Sequence, residues 1–408
     1  MRILLANKYN FPKGGADKYY LFLKDAWEKA GHKVAVFAME HPDNLPSPWS
    51  KYFVSNIDFH GSFKDKLRSP GRIIYSFEAK RKFAALLDDF KPDIVHFHNI
   101  YHQISPSVLP EVKKRRLPAI MHLHDYKLFC PNYLMYAGGQ ICQNCLDQKG
   151  YCPCFWHNCY SSRPRSALAV LEMALHHKLW KIYEKNLDCL IAPSRFMADL
   201  AKKAGWKNDQ VELVYNPAPE VSETNVSQED GAFLYFGRLS QEKGIEDLLA
   251  AAKLLKTKVD IAGQGPLEEN IKTSYRPEIQ SGQIRLLGQL AGDGLKKAIT
   301  EAKAIIIPSR WPENMPLALL ESLAKSKIVI ASRRGGLPEV IRDEENGYLF
   351  EPGNIKALAE KLKMIEGLDK EKREKIKEAA KQSALNLGAK EHLDKIMKIY
   401  QKLAKKPG

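Results

Sequence analysis

The chain has 408 residues, 44% of them hydrophobic and 27% charged, which is enough for two domains that each bury a core. No apolar run approaches the roughly 18–20 residues of a spanning helix, and the opening Met1 to Ala6 stretch is too short for a signal-peptide core, so a cytoplasmic protein is expected. The formal net charge of +15 favours anionic partners, whether phosphorylated substrates, nucleic acid or an anionic membrane surface, without choosing among them.

In chain order, Ile3 to Ala6 reads as a strand, Asp17 to Ala30 as a helix closed by Gly31, and Val34 to Ala38 as a second strand. Basic clusters follow at Lys64, Lys66 and Arg68, at Lys80 to Lys82 and at Lys113 to Arg116, each expected as a solvated helix face. Strands are expected again at Asp93 to His98, Ala119 to Leu123 and Cys189 to Ala192. Around Asn216 to Asp230 the composition turns polar and Pro-bearing, which marks a linker. Beyond it the alternation restarts at Phe233 to Phe236, Val259 to Ala262, Ile284 to Leu287, Ala304 to Ile307 and Ile328 to Ala331. Strands alternating with helical patterns predict βαβ units and parallel sheets, hence an α/β protein of two Rossmann-like domains, residues 1–215 and 228–388. The amphipathic C-terminal piece, 389–408, is expected to return to the first domain.

Three groups of residues carry chemistry. Gly14 and Gly15 stand between a strand and a helix start, where backbone N–H groups can approach a phosphate. Arg238 and Lys243 follow the strand Phe233 to Phe236, at a carboxyl end where α/β sheets bind ligands, and suit a diphosphate. In Pro308 to Glu321, Pro316 is suited to the first helical position, so that Glu313 sits above the helix N-terminus and Glu321 a turn inside. Ionised carboxylates accept hydrogen bonds from hydroxyl-rich ligands, and the N–H groups of Asn314, Met315 and Leu317, though not Pro316, are open to phosphate oxygens.

With Ala262-Gly263-Gln264-Gly265-Pro266, Arg334 to Val340, His98-Asn99 and His124-Asp125, these motifs resemble glycosyltransferase family four, the retaining transferases of the GT-B fold, over nearly the whole chain. The resemblance implies two facing Rossmann-like domains with a central cleft, the first binding acceptor and the second a nucleotide sugar. It further implies that Arg238 and Lys243 neutralise the departing nucleoside diphosphate, that Glu313 binds the donor sugar, that Glu321 binds the ribose, and that His124 is the active-site histidine. Gly14, Gly15, Gly263 and the Asn314 to Leu317 turn complete the implied donor site. No catalytic cofactor is expected. Transfer of a hexosyl group to a glycan or glycolipid in cell-surface polysaccharide assembly follows from the same resemblance, with peripheral association at an anionic inner membrane face. A sugar-nucleotide epimerase on the same fold is the alternative. A nucleic-acid-binding protein with a metal site is a weaker one, because it leaves Glu313, Glu321, Arg238 and Lys243 unexplained.

Six of the seven cysteines fall in a segment spanning 130–159 that follows His124-Asp125. Cys142 and Cys145 have the two-residue spacing that lets two thiolates reach one tetrahedral ion, and Cys154 and Cys159 complete a structural zinc site. Cys130 and Cys152 are substitutes within that set, and an iron–sulfur cluster or disulfides stay open. The aromatic residues Tyr133, Tyr136, Tyr151, Phe155 and Trp156 suggest that the insertion shapes the acceptor site.

Overall fold

The computed structural model describes residues 1–56, 71–221 and 231–405. The basic cluster Lys64, Lys66 and Arg68 and most of the polar linker lie outside the described residues. The chain divides into two compact units, one comprising Met1–Gly138, Cys142–Val214 and Leu393–Gly408, the other Gly139–Ile141 and Tyr215–His392.

The first unit is built on a parallel sheet of β1 (Arg2–Ala6), β2 (Lys33–Phe37), β3 (Ile94–Phe97), β4 (Ala119–His122), β5 (Cys189–Ala192) and β6 (Val211–Leu213), in the order β2-β1-β3-β4-β5-β6. Strands β1, β3, β4 and β5 carry almost nothing but buried residues, as expected of parallel strands covered on both faces. Helix α1 (Gly15–Lys29) begins two residues earlier than the sequence pattern suggested, because Gly14 is its N-cap and the Asp17 carboxylate accepts a 3.0 Å bond from the Gly14 N–H. Other helices of this unit are α2 (Phe77–Phe90), α3 (Arg163–Met173) and α4 (Arg195–Lys203). The last helix of the chain, labelled α9 below, spans Ala389–Ala404 and enters this core with Ile396, Ile399, Tyr400 and Leu403, the i, i+3, i+4, i+7 stripe of an amphipathic helix.

The second unit has a parallel sheet of β7 (Phe233–Phe236), β8 (Val259–Ala262), β9 (Ile284–Gly288), β10 (Ile305–Ile307), β11 (Val329–Ser332) and β12 (Tyr348–Phe350), in the order β9-β8-β7-β10-β11-β12. This is the doubly wound order, and its direction reverses between β7 and β10, where the loops leaving two neighbouring strands part to opposite faces and open a crevice at the carboxyl edge. Around it lie α5 (Ile245–Leu255), α6 (Leu317–Ala324), α7 (Ile355–Glu366) and α8 (Lys370–Leu385). Residue Pro316 is the N-cap of α6, extended at ψ 136°, and the helix starts one residue later than expected. Both β6 and β12 are three-residue edge strands that the sequence pattern did not reveal.

Candidate functional site

The segments leaving β7 and β10 bring Lys243 and Glu313 of the predicted residues into contact. After β7 the backbone is tied on one side by Gly237 N–H to the Ala262 carbonyl (2.9 Å) and by Leu239 N–H to the Gln264 carbonyl (3.0 Å). The Tyr235 hydroxyl donates to the Arg238 carbonyl at 2.6 Å, and this frame leaves the Arg238 side chain exposed at the strand end. Gly263, at φ +155°, lies so close to Gly237 that a Cβ would overlap the Gly237 carbonyl oxygen. Close packing of two loop backbones therefore already accounts for glycine at this position.

After β10, Ser309 and Glu313 are buried, Glu313 to 4% exposure. The Lys243 ammonium donates to Glu313 Oε1 at 2.7 Å, and the Ser309 hydroxyl donates to the same oxygen at 2.5 Å. Lys243 also lies 4.7 Å above the Trp311 ring. Burial pushes the Glu313 carboxyl up, but the Lys243 charge and the bonds from Lys243, Ser309 and Trp311 outweigh it and hold the group below its ordinary range. The cation assigned to a phosphate and the carboxylate assigned to a sugar thus form one ion pair, the carboxylate buried and the lysine partly exposed.

Neighbouring contacts fix this pair. The Arg310 N–H and Trp311 N–H groups both bond the Glu242 carbonyl, at 2.9 and 3.1 Å, and the Arg310 guanidinium grips Asp247 of α5 with two bonds, one of 2.8 Å. Behind Glu313, Gly336 N–H donates to its carbonyl at 2.7 Å. Gly335 has φ +57°, and a Cβ there would collide with the Glu313 backbone, so this glycine of the Arg334 to Val340 motif serves to let two turns touch. Asn314 and Met315 are buried, whereas Pro316, Leu317 and Glu321 keep partial exposure along the start of α6. Ser309, Asp247 and Arg310 went unnoticed as site residues, because their part depends on which strands are neighbours.

In the first unit, His96 lies in β3 and His98 just after it, His122 ends β4 and His124 follows it, and their rings stack with centroid separations of 4.5 Å for 96–98, 5.2 Å for 98–124 and 4.5 Å for 122–124. His98 Nδ1 and His124 Nε2 share a hydrogen bond of 2.9 Å. Packing lowers the His124 imidazole to about 3 although part of its surface meets solvent, and burial together with His96 and His124 holds His98 well below its ordinary value. Both rings are neutral near pH 7, so one nitrogen of the bonded pair donates and the other accepts. Enclosure raises the adjacent Asp125 carboxyl to about 6. At the far end of the stack the Tyr400 hydroxyl of α9 bonds His96 Nδ1 at 2.7 Å. At Gly14 the N–H expected to meet a phosphate is occupied by Asp17, whose other oxygen accepts from Asn7 at 2.8 Å.

The insertion after Asp125 is anchored by a buried ion pair of Lys127 with Glu172 of α3 (2.8 Å). Cys142, Cys145, Cys154 and Cys159 do surround one small cavity, and Cys130 lines it with them, while Cys152 is exposed and Cys189 belongs to the β5 core. All seven cysteines are free thiols. Among the described residues no three His, Cys, Asp or Glu side chains are already grouped as a metal site. Of the aromatic residues, Tyr136 is buried, Tyr151 and Phe155 are partly so, and Trp156 stands out at 70% exposure.

No helix among the described residues is long and apolar enough to cross a membrane. Residues 13–219 match the family model described as Glycosyltransferase Family 4, and residues 219–383 match that of Glycosyl transferases group 1. An uncharacterized 42.6 kDa protein in the cps region of Klebsiella pneumoniae is 27% identical over 371 residues, 86% of this chain and 90% of its own. Among solved structures, sucrose-phosphate synthase from Thermosynechococcus elongatus superposes with a TM-score of 0.71 at 17% identity over 98% of both chains. HepE from Anabaena, solved with UDP, gives 0.63 at 17% identity over 98% of this chain and all of its own. The two parallel-sheet units and the C-terminal helix are those of the GT-B fold.

Proposed function

The chain belongs to Glycosyltransferase Family 4 and is a glycosyltransferase, and from that premise we propose that it moves a hexosyl group from a nucleoside-diphosphate sugar to a glycan or glycolipid acceptor with retention of configuration. The observation that carries this reading is the ion pair of the partly exposed Lys243 with the buried Glu313, on the segments that leave β7 and β10, with Arg238 exposed at the end of β7 where the second sheet reverses direction. Breaking a sugar–phosphate bond builds negative charge on the leaving diphosphate, and fixed cations stabilise that charge as it develops. Glu313 orients the Lys243 ammonium and offers its remaining acceptor capacity to a donor-sugar hydroxyl. Arg238 supplies a planar fork for the phosphates, and Glu321 accepts from the ribose diol. On the first unit, the neutral His124 imidazole offers a hydrogen bond to a sugar hydroxyl without adding a charge. Retention follows from front-face attack by the acceptor in this reading.

HepE was solved with UDP and the Klebsiella relative is named for a cps region, which supports a nucleotide-sugar donor and a place in surface polysaccharide assembly. The net charge of +15 fits work at an anionic membrane surface, in which case binding to anionic vesicles weakens as salt rises. The decisive experiment measures binding and slow hydrolysis of UDP-, GDP- and ADP-sugars by the wild type, Arg238→Ala and Glu321→Ala. One donor should be consumed by the wild type and lost by both variants; consumption unchanged in both would overturn the assignment of the donor site.

A further inference from the structure

We propose that Cys130, Cys142, Cys145 and Cys159 bind one thiophilic divalent ion, zinc in the cell, as a structural tetrathiolate site, with Cys154 supporting it from outside the ligand set. This site is independent of the transferase reading.

Four separate stretches of the insertion deliver their thiols to one cavity: the turn ending at Cys130, the loop at Cys142, the short helix Asn144–Asp147 carrying Cys145, and the segment from Cys154 to Cys159. The gathering of five thiols around one cavity is hard to explain by packing alone, since a thiol is a weak hydrogen-bonding group and the surrounding residues, Phe129, Met135 and Leu146 among them, would pack as well against valine or alanine. Thiolates are the preferred ligands of zinc, and Cys142 and Cys145 sit at the two-residue spacing that places two of them on one ion.

Backbone amides are aimed at the same sulfurs. The Cys130 sulfur faces the N–H groups of Asn132 and Met135, and the Cys145 sulfur faces the N–H of Cys154. Such donors do little for a neutral thiol and much for a metal-bound thiolate, whose charge they share. Cys154 and Cys159 stand next to each other at the cavity, and Cys159, the more accessible of the two, takes the ion while the buried Cys154 supports it. This revises the sequence-based quartet by exchanging Cys154 for Cys130.

The backbone of the insertion also needs a cross-link. Tyr133, Met135 and Lys149 all have positive φ between 48° and 54°, a region that costs such residues roughly 1–2 kcal/mol each. The insertion has only short helices and a small apolar core with which to offset that cost. A structural metal supplies folding free energy directly.

The sulfurs line the cavity without closing on a common centre, and the thiols bond locally, Cys130 to Asn132 Oδ1 at 2.9 Å and Cys145 to the Tyr151 carbonyl at 3.8 Å. Binding therefore closes the sulfurs on the ion, replaces those bonds and releases one proton from each of the four thiols, giving a tetrathiolate of net charge −2 with no change of oxidation state.

The test is the metal content of the full-length protein purified without chelator, with zinc measured by plasma mass spectrometry and free thiols by titration in denaturant before and after metal removal. One zinc per chain is expected. Cys130→Ser and Cys159→Ser should each lower zinc retention by more than about tenfold, whereas Cys152→Ser, Cys154→Ser and Cys189→Ser keep the ion. Should the ligand variants fail to fold, cobalt(II) added to chelator-treated wild type should give the absorption of a tetrahedral thiolate complex and release four protons per ion. Metal-free wild type that ignores cobalt overturns the proposal. So do an intact mass lower by the hydrogens of a disulfide, iron together with sulfide in place of zinc, and a Cys154→Ser variant that loses zinc while Cys130→Ser retains it.

Discussion

Replacing Lys243 by methionine keeps the length of the side chain and removes the charge facing Glu313, which tests whether this pair is a buried, interdependent unit. Glu313 is 6% exposed at its side chain and Lys243 25%, so the lysine is the partner that water can partly replace. Stranding one member of a buried pair costs about 3–5 kcal/mol. The bond from Ser309 persists in the variant and argues for the lower end, about 3 kcal/mol at pH 7. A second route gives the same scale, because the stranded carboxylate can escape by taking up a proton, at a cost of about 1.4 kcal/mol for each pH unit above its free value near 4.3, or roughly 3.7 kcal/mol at pH 7.

The sign with pH follows from linkage. In the wild type the lowered Glu313 group contributes stability above its unfolded value, and loses it as pH falls through the folded one. In Lys243→Met the penalty shrinks over the same descent, so the gap between the two proteins is widest near neutrality and closes toward about pH 4.3. Scanning calorimetry at pH 7.0 and 5.5 should find the second unit's transition lowered by roughly 6–12 °C at the higher pH and by less than half of that at the lower. Adding Glu313→Gln to Lys243→Met should recover most of the loss. A gap that does not change with pH, or a double variant no more stable than the single one, would refute the view that these groups depend on each other.

Gly335→Ala should cost about 2–4 kcal/mol, since it combines a left-handed backbone with a collision against the Glu313 backbone, whereas Gly353→Ala, at φ +78° with open space around it, should cost only about 1 kcal/mol. Equal losses in urea denaturation would show that the collision is relieved at no cost. Tyr400→Phe removes the hydroxyl bonded to His96 in the core and should destabilise the first unit by about 1–3 kcal/mol by the same measurement; a change under about 0.5 kcal/mol would mean that His96 is satisfied without it. Because the Asp125 carboxyl is raised to about 6, above its unfolded value, the folded state holds the proton longer than the unfolded one, and stability falls as pH rises from about 4 to about 6. Asp125→Asn should lack that slope, and carbon NMR of the wild-type carboxyl should show the midpoint; a midpoint near 4 would contradict the enclosure of this group.

Much of the architecture was legible in the residues themselves. The buried strands Ile3 to Ala6, Phe233 to Phe236 and Cys189 to Ala192, and the stripe at Ile396, Ile399, Tyr400 and Leu403, are local patterns, and local patterns survive in sequence because burial on a strand or one helix face dictates each residue's character. The edge strands Val211–Leu213 and Tyr348–Phe350 escaped, being too short to show a period and made by pairing with a neighbour. The Glu313 and Glu321 motif, Arg238 with Lys243, and the crowding of cysteines between 130 and 159 were all visible as spacings. Only the folded chain decided what those residues touch. Lys243 bonds Glu313 across 70 positions, Gly335 must be small because Glu313 passes behind it, His98 meets His124 because β3 and β4 are neighbours, and Cys130 joins a cavity formed by thiols 12 to 29 residues further on. Spacing along a chain constrains residues within a few turns of one another; which distant residues meet depends on the order of strands in a sheet, a property of the whole fold that no single stretch encodes.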